Sequence, residues 1–331
     1  MTRLARFYVC ATALLLACAL APAFAAEAAT RFVATTGSNA GPNTCLASGS
    51  PCKTITHALT QAVANDTISV AAGTYNLALG ETFPLVIAVN LALTGAGAPG
   101  TIIDAGGTNR VIQIDAGIVT ISGVTITGGN LAQGGGLSNG GTLTLTNSTV
   151  SGNTVSCTAS GGTNSCGASG GGIFHDDEGA PPSLTATIVA NQLAGGDCDT
   201  GGDTITSNGF NLDSDGSCGL SGAGDQSVVD PLLGPLQNNG GPTQTHALLT
   251  GSPAIDAVTS GCPPPATDQR GVTRPQGTAC DIGAYELETE IAPIPAGIPT
   301  LSEWAQIGMV ALLLGGGLLA IRRKRQRLVI G

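Results

Sequence analysis

From Thr67 onward the chain is cut into short β-branched runs by Gly, Asn and Asp: Thr67–Val70, Leu91–Thr94, Thr101–Ile103, Val111–Ile114, Val119–Ile121 and Val124–Ile126. Turn residues at such short intervals read as strands and leave little room for ordinary helices. The pattern also repeats. Gly134-Gly135-Gly136-Leu137-Ser138-Asn139 aligns with Gly170-Gly171-Gly172-Ile173-Phe174-His175 at an offset of 36 residues, and Asn147-Ser148-Thr149-Val150 answers Ala186-Thr187-Ile188-Val189. Between the copies lies the Cys157–Cys166 segment. Without a loop of about that size the period falls toward the low twenties, in the range of solenoid repeats. The expected fold is all-β, a right-handed parallel β-helix with three short strands per coil, Val, Ile and Leu aligned inward, and turns that accept insertions. A β-sandwich is the alternative, because isolated strand patterns look alike. Asn147, Asn153 and Asn191 are candidates for turn ladders or for ordinary Asx-turns.

Composition agrees with stacked strands. Aromatic residues make up only 3% of the chain, so burial must come from many Ile, Val, Leu and Ala side chains in repeated layers. Charged residues at 10%, with 50 glycines, do not suit an enzyme built mainly of amphipathic helices. The net charge of -10 hides an asymmetry. Cations cluster at both ends, whereas all 22 acidic residues fall between Glu27 and Glu303 beside only Arg31, Lys53, Arg110, Arg270 and Arg274. Such a middle repels nucleic acid and anionic membrane surfaces and attracts cations.

The ends carry targeting signals. Arg3 and Arg6, the apolar run Phe7 to Leu20 and Ala23-Phe24-Ala25 form a secretory signal over residues 1–26, to be handled by the Sec translocon and cleaved near Ala25 or Ala26. A lipobox ending at Cys18 is the competing reading. At the other end, Ala305 to Ile321 is an uncharged stretch of 17 residues, about 25 Å as a helix, which reads as one C-terminal transmembrane helix. Arg322, Arg323, Lys324, Arg325 and Arg327 in the tail 322–331 place that end in the cytoplasm, with Trp304 at the outer interface. A buried core helix is the alternative. Pro293, Pro295 and Pro299 make the linker 291–304 extended and accessible to an enzyme.

Three resemblances to known families add to this. Ile298-Pro299-Thr300-Leu301-Ser302-Glu303-Trp304, the apolar helix and the basic cluster resemble the IPTL-CTERM sorting domain, which is similar to the PEP-CTERM system of Gram-negative bacteria. That resemblance implies processing by an exosortase-type enzyme, a transient inner-membrane anchor, and a final place at the cell surface or in the extracellular matrix. Phe32-Val33-Ala34, the stretch Pro51 to Leu59 and Gly73-Thr74-Tyr75 resemble the opening of pectate-lyase-like β-helix proteins, in which a short helix, here Ile55 to Val63, caps the first coil. The segment Asp230 to Thr243, followed by Ser252-Pro253-Ala254-Ile255-Asp256, Asp268-Gln269-Arg270-Gly271 and Asp281-Ile282-Gly283-Ala284-Tyr285-Glu286, resembles the choice-of-anchor Q domain. On this reading residues 27–229 are the β-helix and 230–290 a compact cap on its last coil, with no recognised catalytic machinery.

Removing the signal leaves eight cysteines, an even number in an exported chain, so disulfides are expected. Sequence proximity suggests Cys45 with Cys52, Cys157 with Cys166, Cys198 with Cys218, and Cys262 with Cys280. A zinc site is the rival, but no Cys-x-x-Cys pair occurs and His numbers only 3.

Candidate sites are sparse. His175-Asp176-Asp177-Glu178 is the densest polar group, readable as a weak Ca²⁺ site, an enzyme site or a solvated acidic turn. Asp197, Asp199 and Asp203 form a second acidic loop. Asp213-Ser214-Asp215-Gly216 starts like a Ca²⁺ loop but lacks the later ligands. Asp104 and Asp115 suit turns. The leading expectation is a non-enzymatic envelope or matrix scaffold that needs no cofactor or metal and binds glycans or cell-surface components. The alternative is a polysaccharide lyase or glycoside hydrolase, for which Arg110 would have to join His175, Asp176 and Asp177 in one groove.

Overall fold

A computed structural model describes residues 27–95, 100–156, 169–176, 179–240, 244–262 and 266–288. The expected signal peptide, the Cys157–Cys166 loop, Asp177, Glu178, the linker and sorting motif 291–304, the apolar span 305–321 and the basic tail all lie outside the described residues. Among the described residues no helix is long and apolar enough to cross a membrane.

Alternation creates the strands. In Leu91–Gly95, Ile118–Ser122 and Thr142–Thr146 every second residue is buried, as expected of a sheet with one face on a core. Three parallel sheets result. The first holds Thr30–Val33, Asp66–Val70, Leu91–Gly95, Ile118–Ser122, Thr142–Thr146, Ala180–Thr185 and Thr206–Ser207. The second holds Gly73–Asn76, Thr101–Asp104, Val124–Thr127, Thr149–Ser151, Ile188–Ala190 and Leu212–Asp213. The third holds Leu85–Ile87, Ile112–Ile114, Leu137–Asn139, Ile173–His175 and Cys198–Asp199. The chain visits the sheets in this order through five complete coils, a parallel β-solenoid of the right-handed type.

Apart from the first step, 37 residues from Thr30 to Thr67 across the N-terminal helix, and those that span residues 157–168, stacked residues lie from 23 apart (Thr101 with Val124) to 28 apart (Leu91 with Val119), so the coil is somewhat longer than the low twenties. Where residues 157–168 intervene, the step grows to 36 from Leu137 to Ile173 and 39 from Val150 to Val189. The two sequence copies are therefore spatial neighbours in register.

Inside, Leu93, Ile121, Leu145 and Leu184 stack from the first sheet, Tyr75, Ile103, Ile126, Val150 and Val189 from the second, and Leu85, Ile112, Leu137 and Ile173 from the third, all buried. Each such side chain contributes about 1.5–3 kcal/mol of burial. Corners between the first and second sheets use left-handed residues: Gly123, Asn147, Ala186 and Phe210 have φ of 66°, 47°, 47° and 57°. Asn147 is thus a corner residue, and Asn191 (φ 58°) fills the same role after the second sheet. Of the three expected ladder asparagines, Asn153 makes the cross-coil bonds: it is fully buried, its Oδ1 accepts from Gly129 N at 2.9 Å and its Nδ2 donates to Ile126 O at 3.2 Å.

Both ends of the core are closed. The N-terminal helix, α1, spans Ile55–Gln61 and buries Ile55 and Ala58. Thr54 caps it by accepting from His57 N at 3.1 Å, while the Glu81 carboxylate accepts from Ile55 N and Thr56 N at 2.6 and 2.9 Å. The helix stops short of Val63 because Ala62 is already extended. At the other end the loop 214–229 covers the last coil: Gln226 pairs with Leu212 and a disulfide joins Cys218 to Cys198. Disulfides also join Cys45 to Cys52 and Cys262 to Cys280, so all three described bridges follow sequence proximity.

Residues 230–288 do not cap the last coil. After an antiparallel hairpin, Leu233–Asn238 with Gln244–Leu248, the chain runs along the outer face of the second sheet. Leu248, Ala254, Ile282 and Tyr285 pack with Ile188 and Leu212. Gln269 Nε2 donates to Thr101 O at 2.8 Å, and Thr125 Oγ1 donates to Gln269 Oε1 at 2.9 Å. Ala284 N donates to Thr149 Oγ1 at 3.3 Å and Gly283 N to Ala186 O at 3.0 Å. The reason lies in the outward row Ile102, Thr125, Thr149, Ile188 and Leu212: its apolar members need cover and its threonines find partners in the covering segment. Val124–Thr127 is accordingly buried on both faces.

Candidate functional site

Of the expected group at His175, the two described members part: His175 is buried and Asp176 exposed. Ile173 points inward, so two residues on His175 does as well, in register with Asn139 and Ile114. The ring is fully buried, with Nδ1 at 3.0 Å from Asn139 O and Nε2 at 3.4 Å from the half-exposed carboxylate of Asp203. Asp176 turns out to solvent. Arg110 lies on the outer side of the third sheet, where Nε donates to Gly134 O at 3.0 Å, Nη2 to Gln133 O at 2.7 Å and Nη1 to Gln113 Oε1 at 2.6 Å. Burial pulls its pKa below the ordinary value, against the opposing charges of Asp115 and Asp176. Arg110, Asp115 and Asp176 therefore share a face from which His175 is turned away.

The acidic loops are used by the backbone. Asp197 is buried and its Oδ2 accepts from Ser214 N at 2.6 Å and Ser214 Oγ at 2.7 Å. Burial pushes this carboxyl up to about 6, with the charges of Asp215 and Asp213 adding to it. Asp213 accepts from Gly216 N, Cys218 N and Ser227 Oγ, and Asp215 accepts from Asp197 N. Asp104 accepts from Gly106 N at 2.8 Å and Asp199 from Gly201 N at 3.1 Å, both turn contacts. Among the described residues, metal-ligand atoms draw together at Cys45, Cys52 and His57. The two sulfurs are bonded to each other, which removes the thiolates that zinc needs.

Two features remain that sequence reading missed. The first is a groove at the corner of the first and second sheets. A cavity of about 320 Å³ lies between Thr94, Ser122 and Thr146 on the solenoid and Gln269, Arg274 and Ala284 on the C-terminal segment. A second cavity, of about 400 Å³, shares Thr146, Asn147 and Arg274 and continues past Phe210 to Ser260. Arg274 is 4% exposed, donates to Asp281 O and Gly283 O at 2.8 Å each, and keeps a buried Nε with no hydrogen-bond partner among the described residues. Burial pulls its pKa below the ordinary value, against Glu286, whose Oε2 lies 3.3 Å from Nη1.

The second feature is the outer face of the first sheet. Its register aligns one row, Thr67, Ala92, Thr120, Thr144, Ser183 and Thr206, and a parallel row, Ser69, Thr94, Ser122, Thr146 and Thr185. Neither row contains a charged or aromatic residue, and no described segment bonds to the hydroxyls of its central members, Thr120, Ser122, Thr144 and Thr146.

The fold-bearing part has relatives at the family level. A family model described as a protein of unknown function, DUF1565, matches residues 35–213, more than half of the chain. The chain belongs to the DUF1565 family. The DUF1565 match runs from just after the first strand to the last strand of the solenoid, Leu212–Asp213, and stops before the segment that covers the second sheet. No curated protein and no solved structure matches the chain.

Proposed function

We propose that this DUF1565 protein is a non-enzymatic scaffold of the bacterial envelope or matrix, sorted to the surface by an exosortase-type enzyme, and that its corner groove holds neutral glycan chains. The observation that carries this reading is the groove itself: Arg274, whose buried Nε has no hydrogen-bond partner among the described residues, stands in one wall and Thr94, Ser122 and Thr146 in the other, a concave surface of mixed polar and apolar groups suited to a sugar chain. A net charge of -10 favours neutral over acidic chains. The disulfides suit an oxidising periplasmic or extracellular compartment. Ile298 to Trp304 and the basic residues Arg322 to Arg327 supply the sorting signal and its orientation.

The test is retention of the exported protein on neutral and acidic polysaccharide matrices. Neutral matrices should retain it, and Ser260→Trp, an exposed position at the groove, should abolish retention without changing the circular dichroism spectrum. Retention unaffected by the tryptophan would reject the groove. Release of reducing ends or unsaturated products would instead favour a lyase or hydrolase, and the shared face of Arg110, Asp115 and Asp176 is what speaks for that second reading. Loss of turnover in Arg110→Gln would then locate it.

A further inference from the structure

The passages from the third sheet back to the first carry a pair that neither the groove nor the Arg110 face uses. On one coil His175 closes the strand Ile173–His175 and points into the core; on the next, Asp203 follows the strand Cys198–Asp199. Ile173 stacks on Cys198, so the turn after Asp199 passes beside the end of the His175 strand. That turn is tight. Gly201 and Gly202 take φ of 64° and 117°, Asp203 N donates to Thr200 O at 2.9 Å, and the Thr200 hydroxyl donates to Asp203 O. A fixed backbone thus holds the Asp203 carboxylate 3.4 Å from His175 Nε2.

The ring is oriented as a metal ligand would be. Its Nδ1 lies 3.0 Å from Asn139 O, an acceptor, and so carries a hydrogen; Asn139 Nδ2 is farther, at 3.2 Å, and donates to Ala180 O. A hydrogen bond from one ring nitrogen to a carbonyl fixes the tautomer that offers the other nitrogen to a metal. Nε2 is buried with no hydrogen-bond partner among the described residues, and the carboxylate it faces is itself an acceptor. Two lone-pair groups so placed need a cation between them, and the distance selects which one. A protonated ring would draw the carboxylate to about 2.7–2.9 Å, the range of charge-assisted N–H···O bonds. Two ligands each about 2.1 Å from a tetrahedral ion stand about 3.4 Å apart. The separation found, 3.4 Å, is the second value. Calcium fits less well, because it takes about six to eight oxygens at about 2.3–2.6 Å, and half of this pair is nitrogen.

We infer that His175 Nε2 and an Asp203 oxygen bind a divalent cation of the zinc class, with water in its remaining positions. The Asp203 side chain is 48% exposed and opens the site to solvent, and no third described Cys, His, Asp or Glu completes a group of three there. The pair shares no residue with the groove between the first and second sheets, so the two inferences stand or fall separately.

The test is calorimetric titration of zinc chloride into the exported protein after a chelator has stripped it, with the histidine ring nitrogens followed by NMR. The wild type should take up one zinc ion, and the His175 Nε2 resonance should move while those of His57 and His246 stay. Asp203→Asn, a change at the half-exposed partner that leaves the core intact, should weaken uptake at least about tenfold, and His175→Gln should abolish it. Excess calcium chloride should not displace the zinc. Absence of uptake by the wild type overturns the inference, as does undiminished uptake by Asp203→Asn. Displacement by calcium would mark an acidic loop that binds without the histidine, which also overturns it.

Discussion

Replacing Gln269 with Ala should release the C-terminal segment from the flank of the solenoid. The side chain is 2% exposed and makes two bonds across 144 and 168 residues of sequence, from Thr125 Oγ1 and to Thr101 O. Truncation strands the Thr125 hydroxyl, which is 1% exposed, and takes one donor away from Thr101 O. A stranded buried polar group costs about 1–3 kcal/mol and a lost hydrogen bond about 1 kcal/mol more, so about 2–4 kcal/mol is expected in total. The backbone bonds of Gln269 survive, to Ala284 O and from Gly100 N to its own carbonyl, which keeps the change local. Hydrogen exchange read by mass spectrometry should then show peptides from 266–288 exchanging about 30- to 700-fold faster. Peptides from Ile118–Ser122 and Thr142–Thr146 should keep their protection. Unchanged protection of 266–288 would refute the docking described here, and equal loss in both regions would refute its being a separable cover.

Other consequences follow from the same geometry. Asp197 has a pKa raised by burial to about 6 against an ordinary 3.8, so it binds protons in the native state that the unfolded chain releases. Its charge therefore weakens the fold as pH rises from about 4 to 6; Asp197→Asn should become the more stable chain, relative to wild type, across that window in urea melts, and a constant difference at all pH values would contradict this. Asn153→Ala leaves Gly129 N and Ile126 O unpaired in the core and should cost about 3 kcal/mol in the urea midpoint; a cost below about 1 would show that the ladder bond is dispensable. Replacing Cys198 and Cys218 with Ser opens a loop of separation 20 at the last coil and should lower stability by about 3 kcal/mol, with exchange rising first around Cys198–Asp199; uniform loss through all coils would speak against a local cap.

The periodic parts of this fold are legible in the chain because a solenoid repeats its demands. Leu137 and Ile173 align in sequence since they stack in space, and the short spacing between cysteines is enough to find Cys45–Cys52 and Cys198–Cys218. The inward turn of His175 was also within reach, because Ile173-Phe174-His175 alternates and Ile173 belongs to the apolar row. The dense polar run that follows, His175 to Glu178, masks that alternation with charge. The cover on the second sheet is harder to read. Ile188 and Leu212 stand at outward positions, but the same residues look equally at home in an inward row, and no local pattern says that Gln269 will reach Thr125. Asn147 and Asn191 resembled Asn153 in composition and differ by backbone: a left-handed corner takes the first two, and a buried cross-coil bond takes the third.

The stacking of coils at an offset of 24 residues is tested most directly by a cysteine pair at Thr120 and Thr144, which are register partners on adjacent strands of the first sheet. Thr120→Cys with Thr144→Cys, treated with a short methanethiosulfonate cross-linker, should give an intramolecular link found by peptide mass spectrometry. Absence of that link, with the native disulfides intact, would contradict the solenoid itself.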